Sequence, residues 1–155
     1  MLHQLISKIS LLLYNYLVRI VLFIMIVFLS LPASSYDKSH SYDEKKLYFI
    51  TPVNGESVTS PVTVKFGIKG MNIVPAGVDK PMSGHHHLLI NINNLPNMNM
   101  PIPADKNHLH FGKGQTETSI ILPKGKHTLQ LLLGNYMHVP HKPPLLSKKI
   151  EIIVE

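Results

Sequence analysis

Residues 62–68 read Val-Thr-Val-Lys-Phe-Gly-Ile, with apolar side chains at every second position. That repeat belongs to a β-strand with one buried face. Six further segments of similar length carry strand-forming residues, at 47–50, 86–92, 108–111, 116–122, 127–133 and 147–154. Turn formers stand between them: Pro52 with Asn54-Gly55, then Gly112-Lys113-Gly114, then Pro123-Lys124-Gly125-Lys126, then Pro140, Pro143 and Pro144. No stretch after residue 36 keeps a helical period over three turns. The pattern predicts an all-β domain, an immunoglobulin-like antiparallel β-sandwich of about seven strands. Residues 69–84 and 93–107 read as loops, the second rich in proline and asparagine and with room for one extra edge strand.

Three consecutive histidines, His85, His86 and His87, open the third segment. Leu88, Ile90 and Ile92 mark its buried face, so His86 shares the buried parity and His85 and His87 point the other way. In the fourth segment His108 and His110 alternate with Leu109 and Phe111. If these strands pair, four imidazoles share one patch. Alternate residues on a strand lie ~6.5–7 Å apart and neighbouring strands ~4.8 Å apart. Two such pairs can therefore converge on one ion, and neutral imidazole suits zinc, copper, nickel and iron. If strand direction alternates strictly, the loop with His138 and His141 reaches the same end of the sandwich, as do the loops carrying Met71, Met82 and Met137. The expected ligands are His85, His87, His108 and His110, with His138 or His141 completing the set.

The other candidates have plainer roles. We expect His86 to be buried and hydrogen-bonded. His127, in Pro-Lys-Gly-Lys-His-Thr-Leu, stands where sandwiches place a corner residue that bonds backbone. His40 reads as solvated. Met98 and Met100 carry thioethers, which select copper(I), but read here as gap-fillers. Asp105, Gln115 and Glu117 have the chemistry to orient ligand histidines from behind, and read equally well as solvated loop residues.

The amino terminus has a different character. Lys8 and Arg19 precede an uncharged apolar run, 20–31, and Pro32-Ala33-Ser34-Ser35 follows. A basic start, a short apolar core and a small-residue exit describe a secretory signal over 1–35, cut after Ser35. The alternative is an uncleaved membrane anchor over 9–31, interrupted by Asn15 and Arg19. Either way the remainder, a polar lead-in at 36–46 and a domain at 47–155, is expected outside the cytoplasm. It would be periplasmic or secreted, or tethered to the inner membrane by the N-terminal segment alone.

The chain has 155 residues and no cysteine, which excludes disulfides, thiolate metal sites and a cysteine nucleophile. Fifteen basic residues face nine acids. Lys8 and Arg19 belong to the N-terminal segment, so the rest carries scattered lysines and no arginine. A nucleic-acid binder presents a basic stripe, usually with arginine, so no nucleic-acid partner is expected.

Gly84-His85-His86-His87-Leu88-Leu89-Ile90, together with His108-Leu109-His110-Phe111-Gly112-Lys113-Gly114-Gln115-Thr116-Glu117, resembles a family of small exported bacterial domains of unknown function. Val74-Pro75-Ala76-Gly77 and the 122–129 segment extend the likeness. The resemblance implies a β-sandwich and no activity. Three functions remain open: an exported module binding copper or zinc as buffer, carrier or sensor; an envelope interaction module whose histidines respond to pH; and a mononuclear metal redox enzyme. The enzyme is the least favoured, because Gly-X-Ser-X-Gly, P-loop and dinucleotide motifs are absent.

Overall fold

A computed structural model describes residues 12–22 and 44–155. Residues 12–22 are a helix with every side chain exposed. No helix among the described residues is long and apolar enough to cross a membrane. The cut expected after Ser35 and most of the 36–46 lead-in lie outside the described residues. The chain divides into two units, Met1–His40 and Ser41–Glu155, and the second holds the β-fold.

Nine strands run in order: β1 Lys46–Thr51, β2 Ser57–Val58, β3 Val62–Lys69, β4 Asn72–Ile73, β5 Ser83–Ile90, β6 His108–His110, β7 Glu117–Ile120, β8 Gly125–Gly134 and β9 Ile150–Val154. All seven expected strands are present. The two extra ones, β2 and β4, have two residues each, too few to show a period. The 93–107 segment holds no strand. Strands β1-β3-β7 make one antiparallel sheet. The other has the order β2-β9-β8-β5, and both β4 and β6 pair with β5 at its outer edge. Most of its pairs are antiparallel; β2–β9 and β4–β5 are parallel.

The two sheets form a sandwich because each presents an alternating apolar face. Val62, Val64 and Phe66 of β3 are buried while Thr63 and Lys65 are exposed. Opposite them pack Leu88 and Ile90 of β5, Leu129, Leu131 and Leu133 of β8, and Ile150, Ile152 and Val154 of β9. Each such side chain contributes about 1.5–3 kcal/mol by leaving water.

Strand β5 departs from this alternation. All eight residues, Ser83 to Ile90, are buried. Its second face is covered by the 93–107 loop, which brings Ile102 and Met98, and by the β8–β9 loop, which brings Leu146; these pack on Leu89 and Leu132. His85 and His87 therefore lie under cover on the outer face, and His86 lies in the inter-sheet core.

Candidate metal centre

The β5–β6 register decides which histidines meet. His87 stands opposite His110, and Leu89 opposite His108. Parity puts His85, His87 and His110 on the outer face of the sheet. His138 joins them from the β8–β9 loop, in a tight turn that Asn135 organises. The Asn135 side-chain oxygen accepts from the backbone N–H of Met137 and Val139, at 2.9 and 3.1 Å. The His138 N–H donates to the Asn135 carbonyl at 2.9 Å, and its own carbonyl accepts from Ile102 at 2.9 Å. Within that turn His138 has φ 66°, a left-handed conformation that L-residues seldom adopt.

The four rings form a close cluster. Centroids are 5.0 Å apart for His85–His110, 4.9 Å for His85–His138 and 4.7 Å for His110–His138. His87 lies 4.9 Å from His85, stacks on His110 at 5.1 Å, and is farther from His138, at 6.1 Å. One ring nitrogen from each of His85, His110 and His138 lies within 4.8 Å of the other two, so the trio could hold a metal ion. Two imidazole nitrogens on one tetrahedral zinc lie roughly 3.4 Å apart, from Zn–N bonds of about 2.0–2.1 Å. The rings thus need to draw together by an ångström or so, a side-chain adjustment.

His85 is fully buried and His110 exposed, so the trio runs from the interior to the rim. Among the described residues, both ring nitrogens of His85, of His86 and of His87 are buried without a hydrogen-bond partner, as is Nε2 of His141. Buried polar atoms are normally paired, and an unpaired one costs about 1–3 kcal/mol. Burial favours the neutral rings. It is the main cause holding His85 and His86 down to a pKa of about 4 and His87 to about 3. Neighbouring histidines add to this: His110, His138 and His141 act on His85, and His85 acts on His86 and His87. His110 is also lowered, by burial and then by His138. The neutral form is the one that ligates metals.

Glycines make room for the cluster. A Cβ on Gly134 would come within 2.8 Å of the His87 ring, and one on Gly112 would collide with the His110 ring. A Cβ on Gly84 would stand 2.5 Å from the Gly134 carbonyl and 3.0 Å from His141 Nε2. Sequence reasoning passed over these three positions and Asn135. The signal was there in glycine flanking each histidine strand, at Gly84-His85 and Phe111-Gly112.

Not every expected residue is brought together. His108 stands one strand repeat away from His110, and its Nδ1 pairs with Asp105 Oδ1 at 2.9 Å. That contact comes first among the causes holding the Asp105 carboxyl below its usual range. His141 is half-buried beside Gly84, and its pKa is lowered by burial and then by Lys45, against a backbone hydrogen bond at Ser83. His86 is buried as expected but makes no ring hydrogen bond; it meets Phe66 edge-on at 4.7 Å. His127 is the structural corner: Nε2–H donates to the Pro123 carbonyl at 2.8 Å, and Nδ1 accepts from Asn91 Nδ2 at 2.9 Å. Asp105, Gln115 and Glu117 do not reach the cluster: Gln115 caps Lys113 N at 2.8 Å and Glu117 pairs with Lys65 at 3.2 Å. Met98 packs under the outer face and Met100 is exposed.

A family model described as a domain of unknown function (DUF4399) matches residues 64–155, which include all the clustered histidines. No curated protein and no solved structure matches the chain.

Proposed function

The chain belongs to the DUF4399 family, a domain of unknown function, and we propose from its site that the domain binds a transition metal ion, copper(II) or zinc, as an exported buffer, carrier or sensor. The observation that carries this is the convergence of one ring nitrogen from each of His85, His110 and His138, at a place where His85 and its neighbour His87 have buried ring nitrogens with no partner. A fold that leaves such atoms unpaired loses stability for each. A cation that accepts their lone pairs recovers it. His85, His110 and His138 are the ligands, His87 stands behind His110 as a possible fourth, and His108 is left out. The donor set is all imidazole, which suits zinc and copper(II) over calcium or magnesium. Export rests on the N-terminal basic and apolar segment.

Metal analysis of the untagged protein and titration calorimetry test the reading. Wild type should bind copper(II) or zinc, and His85→Ala/His110→Ala should lose at least tenfold in affinity. If neither ion binds wild type more tightly than ~100 μM, about −5.5 kcal/mol, the metal reading fails. Val78, Met82, Tyr136 and Met137 are exposed in or beside the loops around the site. An envelope protein partner seated on those side chains is the second reading, and it then takes the lead.

A further inference from the structure

Beside the imidazole cluster lies a cleft of about 240 Å³ whose walls include Met71, Met82 and His141. We propose that this cleft is a second, soft-metal site, in which the thioethers of Met71 and Met82 and Nε2 of His141 hold a monovalent d¹⁰ cation of the copper(I) class. The backbone sets the two methionines side by side. Met71 directly precedes β4 and Met82 directly precedes β5. The parallel β4–β5 pair ties them, with Asn72 N–H donating to the Met82 carbonyl at 2.8 Å. Met82 has φ 53° and is half exposed. A left-handed backbone is strained at a long side chain, and gap-filling does not account for an exposed methionine. Met71 does pack partly on the main core, which fixes its position at the inner wall.

His141 supplies the nitrogen. Its Nε2 is buried and without a partner, and it lies so close to Gly84 that a Cβ there would come within 3.0 Å of it. Thioether donors select copper(I). The charges around the cleft sharpen that choice. Lys45, Lys80 and Asp79 line it, which leaves one positive charge over. Coulomb repulsion from that charge is twice as large for a divalent as for a monovalent ion. The cleft uses none of His85, His110 and His138, so it stands apart from the imidazole reading. Together the two sites would sort one metal by oxidation state, nitrogen donors for the divalent ion and sulfur with nitrogen for the monovalent.

The test uses silver(I), a soft d¹⁰ ion without redox chemistry, on the full chain labelled with ¹³C at the methionine methyls. The chain has seven methionines, and Met71→Leu and Met82→Leu assign the two that matter while keeping apolar volume. One equivalent of silver(I) should move the Met71 and Met82 methyl signals and leave those of Met98 and Met100 in place. The Met71→Leu/Met82→Leu double variant should bind silver(I) at least tenfold more weakly and zinc as well as wild type does. The proposal is overturned if the methyl signals of Met98 and Met100 move instead, or if the double variant holds silver(I) as tightly as wild type. It is also overturned if His85→Ala/His110→Ala abolishes the Met71 and Met82 shifts. Wild type that shows those shifts yet binds neither zinc nor copper(II) would support the cleft and refute the imidazole site alone.

Discussion

Lowering the pH should unfold the metal-free domain well before its carboxylates protonate. In the unfolded chain histidine titrates near 6.5. In the folded chain His85 and His86 resist protonation down to about pH 4 and His87 to about 3. Between those limits the unfolded chain binds more protons, so stability is complete above pH ~6.5 and is lost as the pH falls. One group with a depressed pKa contributes about 1.36 kcal/mol for each pH unit in that window. Three fully buried rings give a slope of about 4 kcal/mol per pH unit, or about 6 kcal/mol between pH 6.5 and 5. A domain at the low end of ordinary stability, about 5 kcal/mol, unfolds on losing that, and one of about 15 kcal/mol keeps little more than half. Urea unfolding of chelator-treated protein, followed by circular dichroism from pH 7.5 to 5, measures the slope. His86→Leu, which keeps the core filled and removes a ring outside the metal cluster, should cut it by about a third. A slope below about 1 kcal/mol per pH unit, with His86→Leu no different from wild type, would show that these rings are hydrated or protonated in the fold.

Two further outcomes follow from the structure. His127→Ala removes a buried ring with both nitrogens bonded and should cost about 1–3 kcal/mol in urea unfolding while leaving zinc affinity unchanged; a loss of affinity would place His127 in the site. Mass spectrometry of exported protein should find a chain beginning near Tyr36, and an intact Met1 in the membrane fraction would establish the anchor instead.

The period-two pattern made the seven longer strands and the parity of His85, His86 and His87 readable in advance. It could not show that β5 is buried on both sides. The cover comes from Ile102, Met98 and Leu146, in loops whose prolines and asparagines carry no period. Nor could it separate His108 from His110, which have the same parity. The pairing of His110 with His87 is a matter of register, set by the length and shape of the 93–107 loop. His138 was named only as a completing ligand because its place depends on the Asn135 turn, a local hydrogen-bond motif rather than a repeat. The unpaired state of His86 was hidden for a related reason: a partner for a buried ring comes from across the core, and composition does not say what lies there.

The sheet holds His85 and His110 on hydrogen-bonded neighbouring strands, whereas His138 hangs from a short turn latched by Asn135 and by one bond to Ile102. Sheet strands open rarely and loops move in nanoseconds to microseconds. For a bound ion the way out would therefore be the release of one loop ligand, with the sandwich undisturbed. Residence time would be governed by the latch and not by the depth of the site, so Asn135 would set how fast an ion is surrendered without touching it. With His110 at the exposed rim, a competing ligand on another molecule would meet that end of the site first as the loop lifts, and on the metal-binding proposal transfer would run through a shared intermediate without free ion in solution.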